Sequence, residues 1–168
     1  MKMLAKKNNI LFIGQSVKYS GNAIFNTIKD IPDEKKIELP VFEEVQMGMS
    51  LGLAMNGYVP VSIYPRFDFL LLACNQLINH LDKMRDMSKG DMTPRVIIRV
   101  AVGSKNPIDA GPQHTQDHSE AFRKMLTDVN VVQLNEPEDI FPAFKEAYER
   151  EDSKSTLLIE YGEHYGTK

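Results

Sequence analysis

Apolar, β-rich runs that alternate with helical patterns constrain the fold of this chain more than any other feature. The clearest runs are RVIIRVAV at 95–102 and TLLIEY at 156–161, which are apolar at most positions. Strands that are apolar on both faces are typical of a parallel sheet covered on both sides. The other predicted strands are 9–14, 37–39, 58–64 and 129–134. The sequence therefore predicts an α/β fold, a three-layer sandwich with a mainly parallel central sheet and helices on both faces. In such sheets, ligands bind at the carboxyl ends of the strands.

Helical patterns fill the segments between these strands. The longest begins at Asp68, which is placed to cap it, and carries apolar residues at helical spacing. A loop at 103–112, with glycine and proline residues, follows the fourth strand. The predicted helices cover 22–29, 44–55, 68–87, 117–126 and 136–148.

The helix at 44–55 is unusually rich in small residues. Gly48 and Gly52 lie four residues apart, on one face of this helix. They let another helix approach closely, and two explanations stay open: packing inside the chain or contact across a subunit interface.

The composition narrows the possible classes of function. With 168 residues, we expect residues 1–168 to form a single domain. The formal net charge is −3 and no basic stripe is visible, which argues against a nucleic-acid partner. No apolar run is long enough to span a membrane, and 10–13 is too short for a signal peptide, so we expect a cytoplasmic protein. The single cysteine, Cys74, excludes an internal disulfide and a cysteine-rich zinc site.

Several chemistries can be weighed from motifs. Neither a G-x-x-x-x-G-K-[ST] loop nor a G-x-G-x-x-G loop occurs. Cys74 lies in the apolar stretch LLLACNQL, which predicts a core position rather than a nucleophile. His114 and His118 have the spacing of two metal ligands on a helix, but Pro112 places His114 ahead of that helix. We therefore predict no metal site, and a metal-dependent enzyme is the weakest alternative.

Glu43 is the most informative carboxylate. It follows Pro40 by three residues at a strand-to-helix junction, with Glu44 beside it. In one interpretation, Glu43 simply stabilises the positive end of the helix dipole. In the other, it points into an apolar cleft and shares a proton with a ligand nitrogen.

A series of motifs places Glu43 in a wider pattern. The motif PVFE is followed by the small-residue helix, a G-x-x-P strand start, an aromatic segment and a helix rich in asparagine and glutamine. Their order and spacing resemble the beta subunits of the thiamine-diphosphate-dependent 2-oxo-acid dehydrogenases, such as pyruvate dehydrogenase. The resemblance extends over about 10–166. The motifs are PVFE at 40–43, GYVP at 57–60, RFDF at 66–69, ACNQLINH at 73–80 and QHTQ at 113–116.

The resemblance implies a transketolase-like pyrimidine-binding domain with the thiamine-diphosphate-binding fold. Glu43 would hydrogen-bond a ring nitrogen of the cofactor's aminopyrimidine and so activate the cofactor. Phe69 would stack on the pyrimidine, and Pro65 would line the same pocket. His114 would face the reacting centre and assist proton transfer or hold a polar group of the substrate. Each of the last two roles has an alternative. Phe69 would pack in the core, and His114 would be a loop histidine that hydrogen-bonds the backbone.

The resemblance also implies a partner. The family's diphosphate-binding subunit carries G-D-G and a later asparagine that holds Mg²⁺, whereas Gly90-Asp91 is followed here by Met92. The resemblance therefore implies a separate subunit that supplies the diphosphate and Mg²⁺ site, in an α₂β₂ assembly. This chain alone would be inactive. The family's C-terminal domain, which supports dimerisation and docking, is not found here, so membership of a dehydrogenase complex stays open.

The substrate stays open as well. The family usually has glycine and phenylalanine where this chain has Val45 and Gln46, so a change in the substrate pocket or in a helix contact is expected. The leading hypothesis is a subunit that acts on a 2-oxo acid or ketose-like donor and cleaves or forms a C–C bond next to a carbonyl. One alternative is a transketolase-like carboligase that transfers a ketol or acyl unit to an aldehyde. Another is a non-catalytic binding or regulatory module.

Overall fold

The strands form one six-stranded sheet in which every neighbouring pair is parallel. The computed structural model describes residues 1–106 and 109–165, so the predicted 103–112 loop lies partly outside the described residues. The strand order is β2-β1-β3-β4-β6-β5. The strands are β1 Ile10–Gly14, β2 Lys36–Glu38, β3 Val59–Tyr64, β4 Ile97–Val102, β5 Asn130–Gln133 and β6 Thr156–Tyr161. The predicted fold class is confirmed.

Helices cover both faces of the sheet. One apolar layer lies between one face of the sheet and the helices packed on it, and includes Met47, Phe67 and Phe122. A second layer on the other face includes Leu4, Ile24 and Phe144. The α-helices are α1 Lys2–Ala5, α2 Ala23–Ile28, α3 Glu43–Met55, α4 Phe67–Leu70, α5 Met84–Met87, α6 Ser119–Met125 and α7 Pro137–Glu149. Within the described residues, no helix is both long and apolar enough to cross a membrane.

The prediction of one continuous helix over 68–87 was wrong. After α4, the chain forms a 3₁₀ turn at Leu71–Ala73, a π-helical stretch at Asn75–Leu81 and then α5. In the wider π turn, the backbone N–H of Asp82 donates to the carbonyl of Leu77, five residues earlier, at 2.9 Å. The Asp82 carboxylate then accepts hydrogen bonds from the backbone N–H groups of 127–129. Periodicity does not encode this contact between distant segments.

The segments that follow the strands meet at the carboxyl edge of the sheet. Because all strands run in the same direction, the residues after β1, β2, β3 and β4 lie along that one edge. Glu38, the last residue of β2, accepts hydrogen bonds from the backbone N–H groups of Ser16, Val17 and Lys18 at 2.6–2.7 Å. This carboxylate fixes the loop after β1, and with it the position of Gln15.

Candidate functional site

Glu43 is the first residue of α3 and lies at the carboxyl edge of the sheet. Only 8% of the residue is exposed. Among the described residues, no group donates a hydrogen bond to its carboxylate, which distinguishes it from Glu38. The recess in front of Glu43 is small, and half of its lining residues are apolar. Its lining residues are Gln15, Pro40, Val41, Phe42, Glu43, Gln46, Tyr64 and Pro65.

Tyr64 gives the recess a hydrogen-bond donor. Its hydroxyl lies 3.3 Å from the backbone carbonyl of Glu43. Burial raises the pKa of Tyr64 well above its usual value; a hydrogen bond with Ser62 lowers it, and the charge of Glu43 raises it further. The phenol therefore stays protonated beside the Glu43 carboxylate. From the sequence, Tyr64 was predicted only as the end of a strand. Its contact with Glu43 was missed because the two residues lie 21 positions apart.

Gln46 forms the floor of the recess. Its side-chain amide donates to the carbonyl of Ile63 at 2.9 Å and to the hydroxyl of Ser62 at 3.1 Å. A Cβ atom at Gly14 would lie 3.2 Å from the Gln46 amide nitrogen and would overlap the carbonyl oxygen of Ile63. Gln46, one of the two departures from the family pattern, thus lines the recess and also ties α3 to β3.

Phe69 and His114 form a second part of the site. Their ring centroids lie 5.5 Å apart, with an interplanar angle of 85°. Phe69 is only half-buried, whereas Phe67, on the other side of α4, is fully buried and packs on Phe122. The Nδ1 atom of His114 is buried and has no hydrogen-bond partner among the described residues. His114 is therefore not satisfied by the backbone at this atom, contrary to one of the alternatives weighed from the sequence.

Gly103 lets the His114 segment lie against the end of β4. A Cβ atom at Gly103 would overlap the carbonyl oxygen of His114 and would lie 2.9 Å from its carbonyl carbon. Any larger residue would push this segment away from the sheet. The close approach between two parts of this connection from β4 to α6 was not visible in the sequence.

The four residues predicted for the site all lie at the carboxyl edge of the sheet. Glu43 and Pro65 share the recess. Phe69 and His114 share a ring contact. Pro65 directly follows β3, and Phe69 lies four residues further on, in α4. The short segment from Pro65 to Phe69 therefore joins the two parts of the site.

The predicted helix cap at Asp68 was wrong, and His118 has a packing role that the sequence did not indicate. Asp68 does not cap α4, whose N-cap is Arg66; its carboxylate accepts a hydrogen bond from the side chain of Gln116 at 2.7 Å. His118 is the N-cap residue of α6 and packs edge-on against Phe67. His114 lies before α6, as predicted, so the two histidines do not share a helix. Within the described part of the chain, no group of three or more metal-ligating side chains could hold a metal ion.

Cys74 takes a partly buried position in the segment after α4. Burial raises the pKa of its thiol, so the reactive thiolate is disfavoured. Its sulfur lies 3.8 Å from the carbonyl oxygen of Leu70. This agrees with the prediction of a packing role rather than a nucleophile.

Comparison with known proteins places the chain in a family. The profile of the transketolase pyrimidine-binding domain matches residues 1–166. The chain belongs to this family. A solved structure, described as a split gene transketolase in an inactive beta4 tetramer, superposes with a TM-score of 0.71 at 15% identity. That match covers 95% of this chain and 49% of the other, and it supports the fold alone.

Curated relatives in the pyrimidine-binding family are 2-oxo-acid dehydrogenase subunits. The pyruvate dehydrogenase E1 component subunit beta of Cyanidium caldarium is 27% identical over 135 residues, 78% of this chain and 39% of the relative. The same subunit of Gracilaria tenuistipitata var. liui is 26% identical, over 96% of this chain and 49% of the relative. The 3-methyl-2-oxobutanoate dehydrogenase subunit beta of Mycobacterium tuberculosis is 26% identical, over 82% and 40%. The chain thus spans less than half the length of these relatives.

Proposed function

We propose that this chain is the pyrimidine-binding subunit of a split thiamine-diphosphate-dependent enzyme that acts on a 2-oxo acid. The observation that carries the proposal is the position of Glu43: the residue is 8% exposed, lines the small recess at the carboxyl edge of the sheet, and receives no hydrogen bond on its carboxylate from the described residues. Its oxygens therefore keep their accepting capacity for a ligand. A ligand nitrogen that shares a proton with Glu43 would use this capacity.

The residues around the recess fit the aminopyrimidine of thiamine diphosphate. Pro65 and the apolar side chains that precede Glu43 provide walls for a flat ring. Phe69 lies in α4, close along the chain to Pro65, and presents a half-buried aromatic ring. Thiamine diphosphate, when bound, supplies a nucleophilic carbon and an electron sink for chemistry next to a carbonyl.

Each site residue has a distinct role in this proposal. Glu43 holds a proton against a pyrimidine ring nitrogen, and Tyr64 keeps the start of α3 in place from behind. Phe69 and Pro65 orient the ring. The unpaired Nδ1 of His114 is available to move a proton at the substrate or to hold its polar group. Relatives in the 2-oxo-acid dehydrogenases favour an oxo acid over a ketose as donor.

A partner subunit completes the site. We propose that residues 1–168 act as one domain and that a second chain binds the diphosphate and Mg²⁺, in an α₂β₂ assembly. The exposed face of α3 supports such a contact, because Phe42, Val45 and Met49 are 59%, 45% and 39% exposed. A Cβ atom at Gly52 would meet nothing within 4 Å, so internal packing does not require this glycine. A close helix contact with the partner would require it.

Calorimetric titration tests the proposal. Thiamine diphosphate with Mg²⁺ is titrated into the chain alone and into its complex with the diphosphate-binding subunit of the same organism. We expect binding only in the complex. Tight binding by the chain alone would contradict the partner assignment, and absence of binding in both would favour a non-catalytic module.

Turnover by the complex tests Glu43. Glu43→Gln should lower kcat for 2-oxo-acid decarboxylation by about 10²- to 10³-fold. Glu44→Gln is the matched control, because Glu44 is adjacent in the helix but exposed, and it should retain turnover. Unchanged turnover in Glu43→Gln would sink the assignment. Transfer of a ketol unit to an aldehyde, without oxo-acid decarboxylation, would establish the carboligase alternative.

A further inference from the structure

The segment that carries His114 lies across α4 with a regular alternation. Three alternate residues of the segment contact three consecutive residues of α4, in reverse order. His114 contacts Phe69, Gln116 contacts Asp68 and His118 contacts Phe67. We call this set the alternating contact. It joins the proposed substrate-facing histidine to a fully buried residue of the core.

Asp68 is the central member of the alternating contact. Its side chain is only 7% exposed, and its Oδ1 accepts the 2.7 Å hydrogen bond from Gln116. The Nε2 atom of His118 lies 3.8 Å from the same oxygen. The other oxygen, Oδ2, is buried and has no partner among the described residues. With so few partners, the buried carboxylate depends strongly on Gln116.

His114, in contrast, has no side-chain hydrogen bond that could orient it within the described structure. Its Nδ1 is unpaired, and its ring is held by the edge-on contact with Phe69. The position of the imidazole must therefore come from the backbone of its own segment. Gln116, two residues later, anchors that backbone to α4 through Asp68.

We propose that Asp68, acting through Gln116, is a positioning residue that sets the His114 imidazole over Phe69. This inference deepens the proposed function, because it gives His114 its placement at the site. His118 adds to the anchor by packing on Phe67, with which Asp68 is contiguous in α4. The resemblance to the dehydrogenases gave neither Asp68 nor His118 a role at the site.

Magnetic resonance of the intact chain tests the placement without any need for activity. With ring-labelled histidine, the His114 signals are assigned by His114→Gln, and nuclear Overhauser contacts between the His114 and Phe69 rings are measured. In Asp68→Ala and Gln116→Ala, we expect these contacts to be lost. Asp68→Asn keeps an oxygen acceptor for Gln116 and should retain them.

Two glutamine variants separate loss of the anchor from loss of the fold. Gln116 is exposed, so Gln116→Ala should fold even if Asp68→Ala does not. Gln113→Ala removes an equally exposed glutamine of the same segment that makes no side-chain hydrogen bond in the described structure, and it should leave the ring contact intact. Ring contacts equal to wild type in Gln116→Ala would overturn the inference.

Kinetics of the reconstituted complex separate this inference from the proposed function. Gln116→Ala should lower kcat by about tenfold with a much smaller change in KM, because misplacement of a catalytic group affects the transition state. Asp68→Asn should restore most of kcat relative to Asp68→Ala. Loss of the ring contact with unchanged kcat would support the positioning role and would overturn the role proposed for His114.

Discussion

Two carboxylates of this chain, one held against the turn before β5 and one at the start of α3, differ in whether they accept hydrogen bonds. Asp82, fully buried, accepts from the backbone N–H groups of Thr127, Asp128 and Val129 at 2.9–3.0 Å and from the Lys83 ammonium at 2.8 Å. The Glu43 residue is 8% exposed, and none of the described groups donates to its carboxylate. Asp82 joins two segments of the scaffold, whereas Glu43 leaves its hydrogen-bonding capacity for a ligand.

Other buried polar groups differ in the same way between the sheet interior and its carboxyl edge. In the middle of the sheet, Arg99 and Glu160 form a two-pronged ion pair with both distances at 2.8 Å. At the carboxyl edge, in contrast, Asp68, His114 and His118 each have a buried atom without a partner among the described residues. Unsatisfied polar groups therefore concentrate where the site is proposed, and satisfied ones hold the fold.

The largest expected loss of stability comes from removing one partner of the ion pair between Arg99 and Glu160 inside the sheet. Arg99→Met leaves Glu160 as a buried, unpaired charge and should lower the free energy of unfolding by about 3 to 5 kcal/mol. Urea denaturation of the chain measures this. Replacement of both residues by methionine should recover much of the loss, because no charge is then left alone. A loss below about 1 kcal/mol, as for a surface pair, would mean that this buried ion pair does not hold the sheet.

Asp82 is expected to follow with a smaller effect that depends on pH. Burial alone would raise the pKa of Asp82, but the Lys83 ammonium and the backbone N–H groups of 129, 128 and 127 outweigh it and lower the pKa to about 2. The unfolded carboxyl titrates near pH 4. The folded state therefore favours the charged carboxylate. Above pH 4 this preference adds about 2 to 3 kcal/mol to the free energy of unfolding, and the contribution is lost as the pH falls toward 2.

Asp82→Asn tests this contribution. At pH 7 the variant should be less stable by about 2 to 3 kcal/mol, and the difference from wild type should shrink between pH 4 and pH 2. Unfolding curves at pH 7, 4 and 3 measure the difference. A difference that stays constant over this range would mean that the carboxylate does not act through its charge.

The sequence predicted the elements better than it predicted the contacts between them. Strands β4 and β6 follow from continuous apolar runs, which are local properties. The break in the helix after α4 depends on the contact of Asp82 with 127–129, and local periodicity contains no record of it. In the same way, the resemblance gave Glu43 and His114 as candidates, whereas the link between Asp68 and Gln116 spans 48 residues and appeared only in the folded chain.

Gly103→Ala tests how firmly the His114 segment is held at the carboxyl edge. The new methyl group would overlap the backbone of His114, so the loop must move, at an expected cost of about 1 to 3 kcal/mol. Gly52→Ala is the matched control, because its Cβ would meet nothing within 4 Å and alanine favours the helix by about 0.5 to 1 kcal/mol. Thermal unfolding measures both. Equal stability of the two variants would show that the His114 loop is not held against β4.

The smallest expected effect on stability belongs to Glu43. In Glu43→Gln, the folded chain no longer partly desolvates a charge that has no donor, which favours the variant. The helix dipole opposes this, because a carboxylate in the first turn is stabilised by about 0.3 to 1 kcal/mol. The two terms nearly cancel, so the free energy of unfolding should stay within about 1 kcal/mol of wild type, although turnover of the complex collapses. Urea denaturation beside Glu44→Gln measures this. A loss as large as that of Asp82→Asn would place Glu43 among the carboxylates that hold the fold, and the contrast between the two regions would disappear.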